Sequence, residues 1–213
     1  MQRIAVIDYG MGNLHSVSKA IEHVAAGDEV VVTDDASVIR AADRIVCPGQ
    51  GAAADCMEAI HEHKLSELVT ELVDSRPFLG ICMGYQVLFD HSAENDGIDC
   101  LSIVPGKVQR FNHPLLDAAG VRLKVPHMGW SQVSQSMEHP LWHGIEDSSR
   151  FYFAHSYYCV PEHSECVSGY CDYGSRIAVS VAQDKIFACQ FHPEKSAENG
   201  LQLLRNFVQW DGK

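Results

Sequence analysis

Cys82 stands in the run Phe78-Leu79-Gly80-Ile81-Cys82-Met83-Gly84-Tyr85-Gln86, with a glycine two residues away on each side, where an apolar segment gives way to a helical one. A thiol so placed has the layout of a nucleophile elbow. Small neighbours let the chain make a strained strand-to-helix turn that exposes the sulfur beyond a sheet edge and aims free backbone N–H groups at it. His192-Pro193-Glu194 follows a second apolar segment far along the chain. In extended backbone, residues two apart point the same way, so Glu194 can reach His192 and fix its tautomer and orientation. Cys82, His192 and Glu194 in that order are a nucleophile, a base and an acid, the chemistry of acyl transfer through a thiolate held beside an imidazolium. A tetrahedral oxyanion needs donors as well. Pro48-Gly49-Gln50-Gly51, at the end of another apolar segment, offers backbone N–H groups without bulky side chains, and the Met83 amide is a second candidate.

Each motif alone also has an ordinary reading: Cys82 as a small core residue, His192 as a surface turn residue, Pro48 to Gly51 as a plain turn. Their joint occurrence at strand ends favours chemistry. Gly10-Met11-Gly12 invites a dinucleotide-binding reading, but the third glycine is missing, position 15 being His, and no clear acidic partner follows the second strand, where only Asp34 and Asp35 could be argued for the role. His61-Glu62-His63 lacks the further ligands a metal requires and reads as an exposed face. Among the other histidines, His15, His23 and His91 fall on helical segments, and His113, His139, His143 and His163 in polar turns. His127 and His155 differ. They lie in the aromatic-rich segments 126–130 and 151–158, which read as a pocket wall or an interface.

The elements that must position these residues alternate through the first half of the chain. Strands are predicted at 3–8, 29–33, 44–47 and 78–81, and helices at about 13–25, 52–60 and 65–73, with a short one after Asp34-Asp35. Near-continuous apolar strands alternating with helices predict an α/β fold with a largely parallel, doubly wound, flavodoxin-like sheet, its functional loops at the strands' carboxyl ends. After Asp96 the segments 104–111, 121–125, 151–160, 164–170, 176–182 and 186–191 predict antiparallel additions. Residues 183–185 then form a hairpin that delivers His192, and a closing helix at 197–210 packs on the sheet through Leu201, Leu204, Phe207 and Val208.

A chain of 213 residues can bury one substantial core, and residues 1–213 are expected to form one domain. With 28 acidic and 16 basic residues the formal charge is −12, and no basic cluster marks a nucleic-acid footprint. No segment reads as a signal peptide or a membrane span, so a soluble, cytoplasmic protein is expected. The eight cysteines are read as free thiols. Neither a metal nor a cofactor is expected.

These motifs resemble, over the whole chain, those of the class I (triad) glutamine amidotransferases. The more particular segments, Asp8 to Asn13, Pro126 to Trp130, Phe151 to Tyr157 and Lys195-Ser196, resemble the members that serve histidine biosynthesis. The resemblance implies a glutaminase: Cys82 attacks the side-chain amide of glutamine, His192 protonates the departing ammonia, and water cleaves the glutamyl thioester, with Glu194 orienting His192. It implies that Gly51, Gln86 and Ser156 help hold glutamine, and that Gly49, Gln50, Gly51 and the Met83 amide form the oxyanion site. It also implies a heterodimer with the cyclase subunit HisF, a (β/α)₈ barrel that receives the ammonia. Asn13, Trp130, Tyr152 and Lys195 match positions of partner contact or signalling. Gln50, where a small apolar residue is usual, and Ser131, where Asn often follows the Trp, depart from the common pattern. Alternatives are the same glutaminase serving another synthase, a catalytically silent interaction module, or a related cysteine hydrolase or peptidase.

Overall fold

The computed structural model describes residues 1–213. Five strands form its parallel half: β1 (Arg3–Ile7), β2 (Glu29–Thr33), β3 (Arg44–Gly49), β4 (Phe78–Cys82) and, from far along the chain, a strand at Ile186–Cys189. All but β2 are almost wholly buried, which is why they read as continuous apolar runs. Alternate residues supply opposite faces. Ala5 and Ile7 join one hydrophobic cluster while Ile4 and Val6 join another, so the sheet is buried on both sides.

Helices cover both faces. On one lie α2 (Ala36–Arg40), α3 (Ala53–Glu62) and α4 (Leu65–Val73); on the other, α1 (Leu14–Val24) packs through Val17 and Ile21. Asn13 caps α1, its side chain accepting from the Ser16 N–H at 3.3 Å. A four-residue helix, α5 (Met83–Gln86), follows β4 directly.

The second half of the chain extends the sheet with β5 (Gly106–Arg110), β6 (His127–Gln135), β7 (Ser149–His155), β8 (Tyr157–Pro161), β9 (Val167–Tyr173) and β10 (Ser175–Gln183). β10 turns through Asp184-Lys185 into β11, the Ile186–Cys189 strand, with Gln183 opposite Ile186. β11 then lies parallel to β4, with Ala188 opposite Gly80, which completes the order β2-β1-β3-β4-β11. That is the 2-1-3-4-5 order of flavodoxin-like sheets, and it puts the ends of β3, β4 and β11 side by side. The last helix, α6 (Ala197–Gln209), buries Leu203, Leu204, Phe207 and Val208.

Several sequence expectations shift. His91 belongs to a two-residue strand, paired with Asp99, rather than to a helix. The expected strand at 121–125 contracts to Arg122–Leu123, and Leu203 rather than Leu201 carries the apolar stripe of α6. The run 151–160 is two strands divided at Ser156, because β7 pairs with β6 whereas β8 pairs with β5 and β10. His139 is half-buried against the rings of Phe187 and Trp210 and accepts from the Leu141 N–H at 3.1 Å. Burial pulls its pKa down to about 4.

Candidate active site

β4 ends on Cys82, whose φ of 57° and ψ of −107° lie outside the ordinary regions for a side chain of its type. Neighbouring glycines make the turn feasible. A Cβ at Gly84 would overlap the Cys47 carbonyl, and one at Gly80 would press on the Gly84 carbonyl at 2.5 Å. α5 starts at Met83, so its first amides stand next to the sulfur without helical partners.

At the end of neighbouring β11, the chain runs through Gln190 and Phe191 to His192 and the tight turn Pro193–Lys195. Three bonds hold the base by its backbone, and a fourth ties one of their partners in place. The His192 N–H donates to the Tyr152 carbonyl at 2.9 Å, Ser196 Oγ and the Lys195 N–H donate to the His192 carbonyl at 2.6 and 3.0 Å, and the Tyr152 N–H donates to Ser196 Oγ at 3.0 Å. α6 presses on the turn from behind, at Gly200, where a Cβ would overlap the Pro193 carbonyl.

His192 Nδ1 donates to Glu194 Oε1 at 2.9 Å, with both side chains nearly sealed from water. Burial alone lowers the ring's pKa, but hydrogen bonds to Cys82 and Glu194, together with their charges, outweigh it and raise the value to about 9. The imidazolium is therefore the resting form at neutral pH, placed between a carboxylate and the sulfur.

The loop after β3 is pegged from below. Tyr9, whose phenol burial keeps protonated, donates to the Pro48 carbonyl at 2.7 Å, and the Cys56 thiol donates to the Gln50 carbonyl at 3.8 Å. In a trans peptide the N–H lies opposite the C=O, so the Gln50 carbonyl facing α3 turns the Gly51 N–H away from α3. Gly51 has φ 111°, and at Gly49 there is no room for a Cβ between Tyr9 and Met83.

A pocket of about 230 Å³ opens on the sulfur, and Gln50, Gly51, Cys82, Met83, Gln86, Ser156 and His192 all line it. Gly49 and Glu194 stand behind the wall. Gln86 gives its amide N–H groups to the Tyr157 carbonyl at 3.3 Å and to Gln190 Oε1 at 2.8 Å, which leaves its own Oε1 buried without a partner.

Trp130 is 43 % exposed beside the more exposed Met128, and the Tyr152 ring meets it edge-on at 6.1 Å. Lys195 is half-buried on the turn after the base, and Asn13 caps α1 without touching the pocket. Met128 lines the pocket from the segment read as a pocket wall, whereas sequence reasoning missed Glu94, which also lines it, and Gln190, whose amide N–H lies 3.8 Å from Cys82 Sγ. Gln190 precedes His192 by the same two residues that separate Glu194 from it, so the signal was present. His155 lines the pocket; His127 is buried behind it. His61 faces Ser66 and His63 faces Asp34.

Residues 5–210 match the family model described as glutamine amidotransferase class-I. The chain is 57% identical over 213 residues to imidazole glycerol phosphate synthase subunit HisH 1 of Pseudomonas aeruginosa, covering 100% of this chain and 99% of that protein. It is 56% identical to the HisH subunit of Pseudomonas putida, with both chains covered in full (100%). Among solved structures, that of PurLQS from Thermotoga maritima has a similar fold, with a TM-score of 0.73 at 18% identity over 98% of this chain and 99% of that one. With an elbow thiol and a carboxylate-held imidazolium at the mouth of one pocket, the chain belongs to the class I glutamine amidotransferases, and within them to the HisH subunits of imidazole glycerol phosphate synthase.

Proposed function

We propose that this protein is the glutaminase half of a cytoplasmic heterodimer. It hydrolyses L-glutamine to glutamate and ammonia, and the HisF cyclase takes up the ammonia to form imidazole glycerol phosphate and aminoimidazole carboxamide ribonucleotide in histidine biosynthesis. The observation that carries the reading is the buried His192, held by Glu194 at 2.9 Å and raised to about 9 by its bonds to Glu194 and Cys82, at the edge of a pocket with a free buried acceptor on Gln86. The unpaired state of all eight cysteines suits a reducing compartment.

Glutamine enters the pocket lined by Gly51, Gln86 and Ser156 with its side-chain amide over Cys82. The Cys82 sulfur attacks the amide carbon, and the resulting oxyanion takes hydrogen bonds from the Gly51 and Met83 amides. The His192 imidazolium gives its proton to the amide nitrogen, and the C–N bond breaks to release ammonia and leave a thioester. Now neutral, His192 accepts a proton from water as the water adds to the thioester. Collapse expels the Cys82 thiolate, frees glutamate and leaves His192 protonated for the next cycle. Throughout, Glu194 holds the ring in one tautomer and balances its charge. Trp130, Tyr152 and Lys195 present the face that meets HisF, and Tyr152 couples that face to the base through its backbone bond to His192.

Glutamate release by the chain alone, with HisF, and with HisF plus its nucleotide ligand tests this reading. We expect weak activity alone, strong activation by the loaded partner, and loss of at least about a thousandfold in Cys82→Ala. Undiminished hydrolysis by Cys82→Ala would overturn the mechanism, and full activity without a partner would overturn the ligand-gated heterodimer.

A further inference from the structure

The mechanism uses Cys82, His192 and Glu194 but leaves a line of buried polar groups unexplained. Gln190, 1 % exposed, directs its amide N–H at Cys82 Sγ, 3.8 Å away, while its Oε1 accepts from Gln86. Behind Gln86, the Tyr157 carbonyl also accepts from His155 Nδ1 at 2.8 Å. His155 Nε2 meets His127 Nδ1 at 2.9 Å, and His127 Nε2 meets Ser131 Oγ at 2.8 Å.

Donor and acceptor roles along this line follow from one fixed end. A carbonyl only accepts, so His155 carries its proton on Nδ1. Burial, the main cause, pushes the His155 pKa down to about 3 and that of His127 to about 4, so both rings are neutral at pH 7. His155 Nε2 is then an acceptor and His127 Nδ1 a donor. His127 Nε2 in turn accepts from the Ser131 hydroxyl. With the Tyr157 carbonyl accepting from both His155 and Gln86, the Gln86 amide can face it only through NH₂. Its second N–H then requires Gln190 to present Oε1, which leaves the Gln190 NH₂ facing the sulfur.

We propose that Gln190 is a catalytic residue of the glutaminase, donating an N–H to the Cys82 sulfur to hold its negative charge alongside His192, and that Gln86, held by the Tyr157 carbonyl, is the positioning residue that fixes which way this amide points. The inference rests on Cys82 as the nucleophile. The sulfur carries negative charge as it attacks and again as the thioester collapses, so a fixed N–H stabilises it at both stages.

The test is alkylation of Cys82 by iodoacetamide in the full chain at pH 7, followed by mass spectrometry at that residue. Gln190→Met keeps the approximate volume and removes the donor, and Gln190→Asn shortens the amide beyond reach. In whichever variant retains the native circular-dichroism spectrum, we expect labelling to slow about tenfold, the scale of a hydrogen bond to a charged group. A rate within twofold of the unaltered chain would overturn the role of Gln190. On the unaltered chain, the ¹⁵N-labelled side-chain NH₂ of Gln190 should shift when Cys82 is alkylated. An unmoved Gln190 NH₂ signal would overturn the contact, whether or not either variant folds. Neither readout needs glutamine as substrate. If the unaltered chain with loaded HisF released no glutamate, the glutaminase reading would fall while the labelling rates still judged the Gln190 contact.

Discussion

His192 shows how far a single residue's chemistry depends on its neighbours. Its pKa is raised to about 9 against burial because the bonds to Cys82 and Glu194 and their charges favour the proton. A group whose pKa rises on folding contributes stability that is complete below its unfolded value, about 6.5, and lost as pH rises through about 9. Cys82→Ala removes one of the two raising partners. The His192 midpoint, followed by imidazole NMR, should therefore move down from about 9, and an unchanged midpoint would mean that Glu194 alone sets it. The Glu194 contact was legible from the two-residue spacing, although the structure makes it across the tight turn Pro193–Lys195 rather than along extended backbone. His127 and His155 were singled out by their aromatic surroundings, yet their mutual bond was not legible. It exists because β6 and β7 pair in the register that sets His127 opposite His155, and nothing local to either segment fixes that register.

Elements transmit position through close approaches. α6 reaches the base turn only because Gly200 lacks a side chain. Alanine there gains up to about 1 kcal/mol of helix propensity. Overpacking against rigid backbone costs about 1–3 kcal/mol, and here the obstacle is the Pro193 carbonyl, which cannot swing aside as a side chain does. Overlap wins. Gly200→Ala should lower stability by roughly 1–2 kcal/mol in urea unfolding and reduce kcat by displacing His192, whereas a stabilised variant would show that α6 stands free of the turn. The elbow and the loop after β3 were readable from their glycines, since small residues at a strand end have few other uses. The break at Ser156 was not readable. The run 151–158 is rich in aromatic residues throughout, and it divides only because its two parts find different partner strands.

At the scale of the whole molecule, two buried histidines and one half-buried one set the response to acid. His127, His139 and His155 are all depressed by burial, to about 4, 4 and 3. The unfolded chain binds protons at these residues near pH 6.5 while the folded one does not, so stability is present above that pH and falls as pH drops toward 4. Between pH 7 and 5 we expect a loss of roughly 1–2 kcal/mol per histidine. The urea midpoint at the two pH values measures it, and equal midpoints would contradict the burial of the neutral rings. The parallel half of the sheet was legible from its apolar runs, but the seating of its fifth strand was not, because β11 comes from the antiparallel half of the chain.

That seating also bears on how the protein is made. Cys82 leaves the ribosome well before β11, with 108 residues separating it from Gln190. At ordinary rates of synthesis the interval is about 5–20 s. Throughout it the β4 edge has no fifth strand, and the thiol has neither its imidazolium nor its amide donor. The nascent nucleophile is thus kept idle by the order of translation, and it becomes reactive in the same step that closes the sheet.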